Sequence, residues 1–191
     1  MFYSVKTLWE CFQAMPTVLR QALNLEEGTL EDPYYCYPTN ARAIGFEGCI
    51  LYCFIEGYED MVFASNPENY GEDGQVYPLA AHFEDFLRLV LACGSVNPVE
   101  QIVWMSREQF EAAVKEVRQE QSAEGIAAIQ MLAERTGLSP MENPYDYVKA
   151  IQKDFDGSRI AYSDEYYDVS GLERPNGTGA ESDLEEGSCV F

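Results

Sequence analysis

The sequence predicts an α+β fold: a mostly antiparallel or mixed sheet from residues about 41–78, with 101–105 as a candidate further strand, flanked by N-terminal and C-terminal helices. Three observations lead there. Between 41 and 78, short runs rich in Ile, Val, Phe and Tyr are divided by Gly45, Gly48 and Gly57, and short links between runs favour an antiparallel meander. Before residue 25 and after residue 82, apolar residues recur at the helical spacing of three and four. Hydrophobic residues make up 47% of the 191, enough for a packed core, yet no run of eighteen apolar residues is present to span a membrane.

Taken in order, residues 4–24 read as helical, with Val5, Leu8, Trp9 and Phe12 on one face and Pro16 breaking the run before Val18, Leu19, Ala22 and Leu23. Residues 25–40, acidic and with two prolines, read as an irregular connection. "ARAIGFE", "CILYCFIEG" and "DMVFASN" are the strands of the meander, "NPENYGEDG" (66–74) is a polar turn-rich loop, and "QVYPL" is a last short strand. Pro78 cannot donate to a ladder, so that strand ends there or lies at an edge. A helix over 82–93 presents Phe83, Phe86, Leu87, Val90 and Leu91 on one face and stops at Gly94. Ser106 and Gln109 form a capping box for a helix that buries Phe110, Ala113, Val114 and Val117. The next helix points Ile126, Ile129 and Leu132 or Ala133 inward, with Gly137 as its stop. Asn143 and Pro144 open a last helix with Val148, Ile151 and Phe155 as its stripe.

This organisation gives one domain over 1–155 and an acidic C-terminal extension over 156–191. The extension holds 9 acidic and 2 basic residues; Tyr162, Tyr166 and Tyr167 suit docking, and the composition beyond Arg174 predicts a mobile tail. The opening "MFYSVKTLWECFQAMP" lacks the parts of a signal peptide, so a cytoplasmic location is expected.

Charge narrows the partners. The chain has 12 basic and 33 acidic side chains, for a net charge of −21, and both halves share it: −11 over residues 1–100 and −10 over 101–191. Such a field repels nucleic-acid phosphates and anionic lipid, so neither nucleic acid nor membrane is expected as partner. It attracts basic proteins and speeds their encounter.

Catalytic patterns are sparse. The single histidine, His82, could serve as a general base, but it has no local partner set; the competing reading is a helix-end residue. No phosphate-binding glycine loop, nucleophile elbow, HExxH or CxxC occurs, so neither cofactor nor metal is expected, and the protein reads as non-enzymatic. Cys49 and Cys53, four apart on a strand, would stand roughly 13 Å apart, beyond the roughly 7 Å Cα separation of a disulfide. They are expected as buried free thiols. The loop 66–74 bunches acids without the alternate-position spacing of an EF-hand. It instead offers Glu68, Tyr70, Glu72 and Asp73 as a candidate partner-binding set, combining steering charge with an aromatic anchor; the competing reading is a solvated turn.

The order "IGFEGCILYCFI … DMVFASNPENYGEDGQVYPLAAHFEDFLRLVL" resembles the SUKH superfamily, the Smi/Knr type of domain, over residues about 41–93, and "LSPMENPYDYVKAIQ" is similar to a C-terminal helix of its longer members. The matching positions after the polar loop are Val76, Ala80, Phe83, Phe86 and Leu87. The resemblance implies a sheet flanked by helices and a protein-binding role. Many bacterial members are immunity proteins that neutralise a polymorphic toxin, often a nuclease, and eukaryotic relatives regulate cell-wall synthesis. No catalytic residues are ascribed to the family. A basic toxin domain is therefore the expected partner. The alternatives are a regulatory or scaffold protein of the cell-wall type and, further off, a hydrolase or metal-dependent enzyme.

Overall fold

In the computed structural model, which describes residues 4–69 and 74–174, the strand-rich region forms one sheet. Its strands are β1 (Ala41–Glu47), β2 (Ile50–Ile55), β3 (Val62–Ser65) and β4 (Val76–Ala80). Their spatial order is their chain order, and all three pairings are antiparallel. The meander follows from the links: two residues join β1 to β2, with Gly48 at φ +55° supplying the left-handed turn. Pro78 lies in edge strand β4, where its missing N–H costs no ladder bond.

The sheet is covered on both faces by different means. Strand alternation sends Tyr52 and Phe54 to one face of β2 and Leu51, Cys53 and Ile55 to the other. The first face carries the helices: α1 (Val5–Gln13), α2 (Thr17–Gln21), α3 (Phe83–Cys93), α4 (Asn97–Glu100), α5 (Arg107–Glu120), α6 (Ala123–Thr136) and α7 (Pro144–Lys153). Phe83 and Phe86, nearly one helical turn apart, set α3 against the sheet: Phe83 meets Phe54 at 5.3 Å and Phe86 meets Tyr52 at 6.5 Å between ring centroids. Gly94 ends α3 at φ +90°, in the left-handed cap conformation. The Pro16 break between α1 and α2 is bridged by buried Arg20, which donates to the carbonyls of Gln13 (2.8 Å) and Met15 (3.0 Å) and pairs with Glu27.

The second face is closed by the irregular segment 30–39 and by the chain after α7. Phe155, Ile160, Tyr162 and Tyr166 pack there around Phe63, Cys53 and Tyr37. Tyr166 belongs to a short helix, α8 (Asp164–Ser170), and stacks on Tyr162 at 3.8 Å. The sheet is thus flanked by helices on one face and by mostly non-repetitive chain on the other. The segment beyond Arg174, expected from composition to be a mobile tail, lies outside the described residues.

Several expectations need correction. Residues 101–105 do not form a strand: Gln101–Val103 is a 3-10 turn that continues α4. Pro98 starts that helix, and Ile102 and Val103 are buried within the helical layer. A short apolar run looks alike in both settings. The outer side of β4 is also occupied, since Gln152 Nε2 of α7 donates to the Pro78 carbonyl (3.2 Å) and the Ala81 N–H donates to Tyr147 Oη (2.9 Å). In α6 the inward stripe is Gly125, Ala128, Leu132 and Thr136, while Ile126 is 47% exposed; the Gln121 side chain lies where a Cβ on Gly125 would stand. In α5 only Phe110 is buried, with Ala113, Val114 and Val117 half-buried, because that helix lies on the outside of the layer.

No single helix among the described residues is long and apolar enough to cross a membrane. The apolar pair α3 and α4 with its 3-10 extension, bent by 113°, fills the core.

Gly45, within the IGF run of β1, is explained by a close crossing. A Cβ there would lie 3.1 Å from Leu25 Cα and Cβ and 3.2 Å from its carbonyl carbon. That segment is pinned, because Glu26 and Phe46 exchange N–H···O bonds of 2.8 and 2.9 Å. Gly45→Ala should lower stability by about 1–3 kcal/mol through overpacking. An unchanged urea midpoint would mean that Leu25 can step aside.

Candidate functional site

The polar end of the sheet is built where the β1–β2 turn, the β3–β4 loop and α4 meet. Two inward carboxylates organise it. Glu100, the last residue of α4, is 1% exposed, and its Oε1 accepts from Asn66 Nδ2 (2.8 Å) and from the Tyr77 hydroxyl. Glu47, at the end of β1, accepts from Tyr52 Oη (2.8 Å) and Asn97 Nδ2 (2.8 Å). Burial pushes the Glu100 carboxyl up to about 7; its two hydrogen bonds oppose this and the nearby Glu47 charge adds to it. Burial likewise raises Glu47. Both groups are satisfied by donors on neighbouring elements, so they tie chain segments together rather than face an incoming ligand.

What they tie down is the base of the acidic loop. Asn66 donates its side-chain N–H to Glu100, accepts the Glu68 N–H on Oδ1 (2.9 Å), and closes the ladder through its own N–H to the Gln75 carbonyl (2.8 Å). Asn69 Nδ2 donates to the Gly74 carbonyl (2.7 Å), and Gln75 Nε2 donates to the Pro67 carbonyl (3.1 Å) and to Tyr35 Oη. The loop therefore leaves the sheet from two pinned ends. Of its candidate binding residues, Glu68 is exposed on the rising limb; Tyr70, Glu72 and Asp73 lie outside the described residues. The adjoining sheet edge, β4, does not offer an open ladder, since α7 occupies it.

His82 sits at the start of α3 with an exposed ring. Its Nδ1 lies 3.0 Å from Asp60 Oδ1, while Asp60 Oδ2 accepts the Phe83 N–H at 3.1 Å. The hydrogen bond to Asp60 raises the imidazole pKa, helped by the charges of Asp60, Asp85 and Glu59 and opposed by slight burial. Among the described residues no hydroxyl or thiol is bonded to the ring, so no nucleophile–base pair forms there. The pair works as a clamp: Asp60, from the β2–β3 turn, caps α3 from outside the helix, and His82 holds Asp60 in place.

Cys36, Cys53 and Cys93 are buried free thiols, and Cys11 and Cys49 are half-buried. Cys49 stands in the β1–β2 turn and only Cys53 on the strand. Burial pushes the Cys93 thiol up to about 12 and raises Cys53 as well, which keeps both as inert packing groups. Among the described residues no cluster of three His, Cys, Asp or Glu could hold a metal ion.

Glu100 and Asp60 were not among the residues singled out from the sequence. A signal for Glu100 is present: it is a lone acid within the apolar run "NPVEQIV". Asp60 has none, because its target lies across a strand. Compared with known proteins, no family model, no curated protein and no solved structure shows a significant match.

Proposed function

We propose that this protein is a non-enzymatic binding module for a basic protein, most concretely an immunity protein of the SUKH type that neutralises a cationic toxin domain. The observation that carries the reading is the surplus of 33 acidic over 12 basic side chains, joined to an acidic loop whose two ends are pinned. A toxin that acts on nucleic acid needs a basic face to hold phosphates, and an acidic protein can cover that face by presenting carboxylates in their place. The meander followed by a helix closing through Phe83 and Phe86 is the arrangement that the SUKH resemblance implies. Pinned loop ends support tight binding, because anchored ends leave less freedom to lose on docking.

The test is co-expression with the toxin encoded beside the gene. Rescue of growth and a complex that survives purification are expected, with an association rate that falls steeply between 50 and 500 mM salt (roughly three-fold shorter screening length). Replacing Glu68, Glu72 and Asp73 by Gln or Asn should slow association, and Tyr70→Ala should speed dissociation. No rescue and no complex would reject the immunity reading. Binding to another partner that requires residues 174–191 would favour the regulatory scaffold instead.

A further inference from the structure

On the second face of the sheet, where segment 30–39 meets the chain entering α8, a groove of about 510 Å³ is open to solvent. Pro33, Tyr34, Tyr37 and Pro38 give its lining an aromatic and proline-rich stretch, and Asp32 and Glu165 line it as well. We propose that this groove is a docking site for an arginine-bearing extended segment of a partner protein.

The aromatic wall is held firmly. Tyr37 is buried and donates its hydroxyl to the Cys49 carbonyl at 2.6 Å. Tyr34 leans on it at 5.5 Å and 59°, yet is itself 51% exposed. Tyr35 stacks on Tyr166 and takes the Gln75 amide, which joins this wall to the base of the acidic loop. A large aromatic side chain left half in solvent on a rigid backing is an anchor surface without a covering group.

Charge selects what covers it. No lysine or arginine lines the groove. Among the described residues, Asp32 and Glu165 take part in no ion pair, whereas Asp164 and Asp168 nearby are both taken by Arg174, at 3.1 and 2.7 Å. Two uncommitted carboxylates beside an exposed tyrosine face match a guanidinium, which stacks on the ring while its N–H groups reach the acids. Lysine gives the charge without the planar stacking. Two other occupants are disfavoured by charge. Residues 175–191 of the chain carry four acids and no basic residue, and a second copy would bring a net charge of −21. The volume suits one or two side chains of an extended peptide rather than a folded domain.

This inference does not depend on the toxin reading, because it can be tested with synthetic peptides. The probe is a fluorescein-labelled nonapeptide of alternating Arg and Pro, compared with versions carrying Lys or Glu in place of Arg, titrated against the full chain at fixed salt. Saturable binding in the order Arg, Lys, Glu is expected, with amide shifts in residues 32–39 and 163–166. Tyr34→Ala, a change at an exposed site, should weaken the Arg peptide by about 3- to 30-fold. Glu165→Arg should weaken it further, while Glu116→Arg on α5, with the same change in net charge, should not. Equal binding of Arg and Lys peptides, indifference to Tyr34→Ala, or shifts confined to other surfaces would overturn the proposal. Peptide failure with toxin binding intact would reject the groove and leave the proposed function standing.

Discussion

Phe83→Ala should cost the fold about 3–5 kcal/mol, the usual range for emptying a fully buried aromatic site. Phe83 is completely buried where three elements meet. Its ring lies 5.6 Å from Trp9 and 6.0 Å from Phe12 of α1, 5.3 Å from Phe54 of β2, and 6.2 Å from Phe86 in its own helix. Removing it takes away the shared contact that fastens both α1 and α3 to the sheet. The backbone clamp from Asp60 to the Phe83 N–H would survive, so the loss reports on packing alone. A domain is commonly stable by only about 5–15 kcal/mol, so the variant should unfold at much lower urea. Phe83→Leu, which keeps most of the volume, should cost less. A loss under about 1.5 kcal/mol for the alanine variant, well below the usual range, would show that the surrounding rings collapse into the space.

The second large effect is a stability that falls as pH rises, caused mainly by Glu100. Its carboxyl titrates near 4.5 when unperturbed and is pushed up to about 7 by burial in the fold. Below the lower value both folded and unfolded chains hold the proton, and the full stabilisation is present. Between the two values the folded protein keeps a proton that the unfolded chain has released, so stability declines with rising pH. Above about 7 the contribution is gone. The span corresponds to about 3 kcal/mol. Glu47, also raised, and His82, raised by Asp60, act in the same direction; the exposure of His82 makes its share small. Urea midpoints should therefore be higher at pH 5 than at pH 8, and Glu100→Gln should flatten most of that difference. Protection of the Glu68 and Asn69 amides, taken as exchange relative to the intrinsic rate at each pH, should fall as pH rises in the wild type, since the loop hangs from Asn66 and Asn66 from Glu100. A pH dependence unchanged in Glu100→Gln would place its source elsewhere.

The same two residues show what could be read in advance. The place of Phe83 in a helix that closes over a sheet is legible, because "HFEDFLRLVL" repeats apolar residues at helical spacing directly after a short strand that carries Pro78. The Ser106 capping box and the stop at Gly94 are legible for a similar reason: their partners lie within a few residues along the chain. The candidate site was legible only in part. The loop 66–74 stands out by composition, but the ties that hold its ends come from Glu100, 34 residues from Asn66, and Tyr35, 40 residues from Gln75.

The sequence by itself determined most element types, the order of the meander, that Pro78 ends a strand or lies at an edge, and the overall acidity, because these depend on local spacing, backbone chemistry and summed charge. Tertiary structure decided the rest. It turned 101–103 into a 3-10 turn by burying it among helices beside an already covered β4. It rotated α6 so that Gly125 and Ala128, not Ile126, are buried. It also laid segment 30–39 and α8 across the second face, leaving Tyr34 exposed in a groove that Asp32 and Glu165 also line. Each of these outcomes depends on which surfaces meet, and residues far apart in the chain supply those surfaces, so no window of local sequence contains them.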